Sequence, residues 1–129
     1  MSARLVLIVE DNEKNRKLER DLLQFKGFRT IETDNGEDGI RMAREHRPDL
    51  VLMDIELPGI DGVEALARLR ADPLTRQIPV IAVTASAMQQ DRERIMAAGF
   101  DDYQRKPIDI RDFLELVRLR ADAGRRRTP

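Results

Sequence analysis

The sequence predicts an α/β fold: a doubly wound, five-stranded parallel sheet with helices on both faces. Three observations carry this. Short apolar runs alternate with stretches of helical periodicity, five times in series. Three of the runs are apolar at every position, as strands buried on both faces must be. Each run also gives way to polar residues at its carboxyl end, where ligands bind in open α/β sheets. Right-handed crossovers then leave few topologies.

Leu5 to Val9 is the first run, followed at once by Glu10 and Asp11. Leu18, Leu22 and Phe25 come next at helical spacing, and Gly27 closes that helix. Phe28 to Thr33 is shorter and more polar, which suits an edge strand. Ile40 and Ala43 mark a modest helix that ends before Pro48. Leu50 to Met53 stops at Asp54, and a helix with Val63 and Leu66 follows Gly62. Val80 to Val83 stops at Thr84. Ile95 and Met96 belong to a helix closed by Gly99. A weak strand from Asp102 to Arg105 leads to Lys106 and Pro107. Asp109 caps a last helix whose apolar stripe is Ile110, Phe113, Leu114 and Val117.

The chain has 129 residues, the length of one domain. Residues 1–123 are read as that domain and 124–129 as a basic tail; from Arg118 onward there are five arginines against one aspartate. A formal net charge of −1 argues against a dedicated nucleic-acid binder, so no direct DNA binding is expected. The absence of cysteine excludes disulfides, thiolate metal sites and cysteine nucleophiles. No apolar run approaches ~18 residues, so no membrane span is expected. The first apolar run is too short for a signal peptide, which makes a cytoplasmic protein the expectation. Gly36, Gly39, Gly59 and Gly62 form no nucleotide-binding pattern.

The candidate chemistry sits at the strand ends. If the first and third strands are neighbours, Glu10, Asp11 and Asp54 converge, and three close carboxylates repel unless a cation joins them. Oxygen-only donors favour Mg²⁺, which keeps several waters and takes a phosphate oxygen. Lys106 supplies a point charge for phosphate and Thr84 one hydroxyl. These parts suit phosphoryl transfer to a carboxylate nucleophile. Lys106 is one of four lysines among 19 arginines.

Four pieces in order and spacing resemble the receiver domain of two-component response regulators over about residues 4 to 120. They are Val-Leu-Ile-Val-Glu-Asp-Asn (6–12), Leu-Met-Asp-Ile-Glu-Leu-Pro-Gly-Ile-Asp-Gly (52–62), Val-Thr-Ala (83–85) and Arg-Lys-Pro-Ile (105–108). The Glu-Asp-Asn opening and the run from Thr84 to Arg94 are similar to the DivK-like branch of single-domain cell-division regulators and to receivers of hybrid sensor kinases. The resemblance implies the strand order 2-1-3-4-5. It implies Asp54 as phosphoacceptor, and Mg²⁺ held by Glu10, Asp11, Asp54 and the backbone carbonyl of Glu56. It further implies Lys106 pairing with the phosphoryl group, Thr84 moving to bond it, Tyr103 as the aromatic switch, and a cis Lys106–Pro107 bond. Glu10 stands where many relatives have Asp, one methylene longer.

Glu56 and Ser86 lie beside the site and are read as setting the lifetime of the phosphoryl group. His46, the sole histidine, is read as favouring a helix end by its charge. The phosphoryl group must then come from a cognate histidine kinase or histidine phosphotransfer protein. Output is expected through a downstream protein that binds the fourth and fifth strand–helix units. The chain is thus read as a signalling phosphoacceptor that promotes its own phosphoryl transfer and slow dephosphorylation. Three alternatives stand beside it: a receiver cut from a hybrid kinase, an unphosphorylated docking module, and a haloacid-dehalogenase-like phosphatase. The last expects a second Asp where Glu56 stands. Met1 and the last helix favour a free-standing protein over a cut receiver.

Overall fold

In the computed structural model, residues 3–85 and 88–125 are described. The elements in order are β1 (Leu5–Val9), α1 (Glu13–Phe25), β2 (Arg29–Thr33), α2 (Gly36–His46), β3 (Leu50–Asp54), α3 (Gly62–Ala71), β4 (Val80–Thr84), α4 (Gln89–Ala97), β5 (Asp102–Arg105) and α5 (Ile110–Arg125). The strands form one parallel sheet in the order β2-β1-β3-β4-β5. The two polar strands, β2 and β5, are therefore the edges, and the three continuous apolar runs fill the centre.

Strand alternation sorts the core into two layers. Leu7, Val9, Val51, Met53, Val80 and Ala82 face one side, where they meet Ala43 of α2, Leu66 and Leu69 of α3, and Ile95 of α4. Val6, Ile8, Leu50, Leu52, Ile81 and Val83 face the other, against Leu23 of α1 and Phe113, Val117 and Ala121 of α5. Asparagine or aspartate opens four of the helices. Asn12, Asn35, Asp61 and Asp109 accept hydrogen bonds from the backbone N–H groups of Asn15, Asp38, Glu64 and Asp112. His46 lies exposed in the last turn of α2, beside Arg44. Among the described residues, no helix is long and apolar enough to cross a membrane.

The structure departs from the sequence reading in three places. On α1 the predicted stripe is partly out of phase: Leu22 packs against the core beside Leu23, but its two companions do not. Leu18 and Phe25 are exposed, the latter by 85%, and the buried residues are Glu19 and Leu23. A carboxyl inside the buried face shifted the apolar pattern by one position. Ile110, assigned to the apolar stripe of the last helix, is also exposed while Phe113 is buried, and of the pair Ile95 and Met96 only Ile95 is buried. Last, α5 runs through Arg125, two residues past the predicted end of the domain at 123. Arg125 forks onto the Asp49 carboxylate at 2.9 and 2.8 Å, and Gly124 packs where a Cβ would stand 1.8 Å from the Asp49 carbonyl oxygen. Residues 126–129 lie outside the described residues.

Candidate functional site

Parallel order and in-register pairing bring the carboxyl ends of β1, β3, β4 and β5 to one edge of the sheet. Glu10 follows β1, Asp54 ends β3, Thr84 ends β4, and Lys106 follows β5. Glu10, Asp54 and Lys106 come together there, with Lys106 Nζ 2.8 Å from Glu10 Oε1 and 3.3 Å from Asp54 Oδ2, and Thr84 ends β4 at the same edge. The β1–β3 register pairs Ile8 with Leu52, so Glu10 and Asp54, two residues on, point to the same face of the sheet. One carboxylate oxygen from each of Glu10, Asp11 and Asp54 lies within 4.8 Å of the others. Glu10 and Asp54 are buried and Asp11 is exposed, so the cluster opens to solvent on the Asp11 side.

The hydrogen bonds divide these oxygens unequally. Asp54 Oδ1 accepts from the Glu56 backbone N–H at 3.0 Å, and Oδ2 accepts from Lys106 Nζ at 3.3 Å. Glu10 Oε2 accepts from the Asn12 backbone N–H at 3.1 Å. Lys106 Nζ also lies 2.8 Å from Glu10 Oε1, but the pair is not aligned as a hydrogen bond. Glu10 Oε1 is thus a buried acceptor with an ion-pair neighbour and no aligned donor. The Lys106–Pro107 bond is cis, and the Lys106 N–H donates to Thr84 O at 2.7 Å, which carries the β4–β5 ladder one residue further.

One lysine cannot balance three carboxylates. Burial, and then Glu10 beside it, push the Asp54 carboxyl up to about 7, although the Glu56 N–H and Lys106 pull the other way. Burial works against the Lys106 charge, yet Glu10 and Asp54 outweigh it and hold the ammonium above the usual lysine range. The donor set fits a hard divalent cation. It is all oxygen, and two of its members are buried and crowded. Glu10, Asp11 and Asp54 are the residues that could hold Mg²⁺.

Thr84 and Tyr103 share the opposite face. The β4–β5 register pairs Ala82 with Tyr103 and Thr84 with Arg105, so Thr84 and Tyr103 both lie on the side of α2, α3 and α4. Tyr103 is half-buried against that layer, and the Arg92 guanidinium of α4 sits 5.2 Å from its ring centre. The Glu56 side chain is exposed beside Asp54. Ser86 lies outside the described residues.

The loop from Ile55 to Asp61 is closed by a hydrogen bond from Gly62 N–H to Ile55 O at 3.0 Å. A Cβ on Gly62 would stand 2.4 Å from the Asp54 carbonyl oxygen and 2.9 Å from Ile55 Cα. Backbone cannot yield as a side chain can. Gly62→Ala should therefore lower stability by about 1–3 kcal/mol, read as a fall in the urea midpoint. An unchanged midpoint would show that α3 slides away from β3 at no cost.

Sequence reasoning missed two charged residues. Arg16 donates from Nη1 to the Glu10 carbonyl oxygen at 2.9 Å. Glu19 is 1% exposed on the buried side of α1, and one of its carboxylate oxygens has no hydrogen-bond partner. Asn12, Arg16, Glu19 and Leu23 follow the spacing i, i+4, i+7, i+11, which is the signal that marks their shared face.

The model of the response regulator receiver domain matches residues 6–118. The polar-differentiation response regulator DivK of Brucella anthropi is 52% identical over 113 residues, covering 88% of this chain and 92% of that protein. The DivK of Brucella ovis is 50% identical with the same coverage. Among solved structures, the receiver domain of a sensor histidine kinase from Pseudomonas aeruginosa, with magnesium coordinated in its active-site cleft, superposes with a TM-score of 0.86. It is 34% identical, over 94% of this chain and 99% of that one. A CheY-like receiver domain protein from Methanospirillum hungatei gives a TM-score of 0.85 at 27% identity, over 96% and 98%.

Proposed function

Since the chain belongs to the response regulator receiver family of two-component signalling, we propose that Asp54 is its phosphoacceptor. The carrying observation is the Asp54 carboxylate itself: buried at a strand end, bonded to Lys106, and crowded by Glu10 and Asp11. Asp54 attacks the phosphorus of a phosphohistidine, a P–O bond forms as the P–N bond breaks, and the leaving imidazole nitrogen takes a proton. Glu10, Asp11 and Asp54, with the Glu56 carbonyl, hold Mg²⁺. That ion supplies charge neutralisation between the carboxylates and the phosphoryl oxygens when bound. Lys106 pairs with the arriving phosphoryl group in place of part of its present contact to the acids. The donor is a histidine kinase or phosphotransfer protein. Glu56, exposed at the mouth of the site, tunes hydrolysis of the acyl phosphate, as does Ser86.

The shared face of Thr84 and Tyr103 supports a switch. The Thr84 hydroxyl turns to the phosphoryl group, Tyr103 moves into the space released, and the surface of α4, β5 and α5 changes for a protein partner. Tyr103 is the sole tyrosine and tryptophan is absent, so intrinsic fluorescence reads that ring alone. Phosphorylation should change its quenching by iodide in the wild type. Thr84→Ala should incorporate phosphate while leaving quenching unchanged. Equal quenching changes in both proteins would remove Thr84 from the switch.

The test of the acceptor reading is phosphate incorporation from acetyl phosphate, with and without Mg²⁺, followed by intact mass. Metal-dependent uptake of one phosphoryl group is expected. No uptake from acetyl phosphate or from a phosphorylated histidine donor would reject the reading.

A further inference from the structure

We infer that Arg16 is a positioning residue for the cation site, acting through the peptide that joins Glu10 to Asp11. This rests on the reading of the acidic cluster as a Mg²⁺ site. Glu10 and Asp11 are consecutive, so the orientation of one peptide plane sets where both carboxylates point. Arg16 holds that plane: its Nη1 donates to the Glu10 carbonyl oxygen at 2.9 Å. The other end of the fork is fixed too. Arg16 Nε donates to Glu32 Oε2 at 2.9 Å, and Arg20 Nη1 donates to Glu32 Oε1 at 2.8 Å. Glu32 sits in β2, in register with Ile8. The Glu10 N–H, for its part, donates to Thr33 O of β2 at 3.1 Å. Both flanks of Glu10 are thereby tied to the edge strand, one by backbone and one through a half-buried guanidinium.

The location of Arg16 follows from helix geometry. It stands in the first turn of α1, its N–H bonded to the Asn12 carbonyl, and helical side chains lean toward the N-terminus. The guanidinium therefore reaches back over the loop that opens the helix. Its planar fork spans a carbonyl and a carboxylate at once, which a lysine ammonium on a flexible stem does not reproduce.

Charge alone predicts the opposite outcome. A fixed cation near the site repels Mg²⁺, so a purely Coulombic Arg16 would weaken binding and its removal would tighten it. Positioning predicts that removal weakens binding. Loss of a hydrogen-bond partner that orients metal ligands typically costs 10- to 100-fold in affinity.

The experiment is calorimetric titration of wild type, Arg16→Met and Arg16→Lys with Mg²⁺ alone, with urea midpoints measured alongside. Arg16→Met should bind Mg²⁺ about tenfold more weakly. Arg16→Lys should fall between the two, because the charge remains and the fork is lost; it also carries the test should Arg16→Met fail to fold. A folded Arg16→Met, or failing that Arg16→Lys, that binds as tightly as wild type or tighter overturns the inference. A wild type that takes up no Mg²⁺ overturns the metal reading on which it rests.

Discussion

Asp54→Asn should incorporate no phosphate from acetyl phosphate or from a phosphohistidine donor, with or without Mg²⁺. The Asp54 carboxylate ends β3, where it accepts from the Glu56 backbone N–H and from Lys106. An amide keeps the shape and can keep the bond from Glu56, but its oxygen is not a nucleophile. Its NH₂ would also have to avoid Lys106 Nζ, since both are donors. Loss of labelling should therefore be complete, while the fold survives. Stability should not fall near neutral pH, because the substitution removes an acid that burial and Glu10 already push up to about 7. Intact mass reads the first effect and urea unfolding the second. Labelling of Asp54→Asn at the wild-type level would move the acceptor to Glu10 or Asp11. A lost fold would leave the substitution unable to speak for chemistry, and the metal dependence of wild-type labelling would then decide.

The parts of this site legible in the sequence are those at the ends of apolar strands. β1, β3 and β4 are apolar at nearly every position, so the polar residues that end them stand out. Periodicity could not order the strands, because alternation says which faces are buried and nothing about neighbours. The order 2-1-3-4-5 came from the family resemblance. What the sequence concealed lies on α1. Arg16 and Glu19 sit in a helix of mostly charged residues, where charge ordinarily marks the solvated face. Leu18, Leu22 and Phe25 make a plausible stripe one position away from the buried one. The buried stripe is the less apolar of the two because it serves a polar site, and hydrophobic pattern points away from such a face. The same competition misplaced the end of α5. Gly124 reads as a helix stop, but here its missing Cβ admits the Asp49 carbonyl and lets Arg125 reach the Asp49 carboxylate.

Glu19→Leu should raise stability, and the gain should grow with pH. The Glu19 carboxyl is 1% exposed, one of its oxygens is unpartnered, and it lies among the charges of Glu10, Lys106, Asp54 and Glu32. Burial first, and then the negative charge of Glu10, push it up to about 8 from an ordinary 4.5; Lys106 opposes this. The folded state therefore holds a proton that the unfolded chain releases near 4.5. Between those values the unfolded state binds fewer protons, so stability falls as pH rises from about 4.5 to about 8 and stays low above. A shift of this size corresponds to a few kcal/mol, about 2–4 after relaxation and water entry are allowed for.

Two variants separate the causes. Glu19→Gln removes the titration but keeps a buried polar group, so it should match wild type near pH 4.5 and exceed it by about 2–4 kcal/mol at pH 9. Glu19→Leu should add a further, pH-independent gain of about 1–2 kcal/mol, because nothing polar is left unpaired. Urea midpoints at pH 5, 7 and 9 measure both. The difference between wild type and Glu19→Gln isolates this one group from Asp54, which titrates in the same range. Parallel profiles for those two proteins would mean that Glu19 ionises in the folded state as readily as in the unfolded chain, by finding water or a cation. Mg²⁺ supplies a second check, because a cation bound by Glu10 and Asp54 lies on the side from which their negative charge now raises Glu19. Saturating Mg²⁺ should lower that pKa and shrink the difference between the two proteins at pH 9. A difference indifferent to Mg²⁺ would mean that burial alone sets the titration of Glu19.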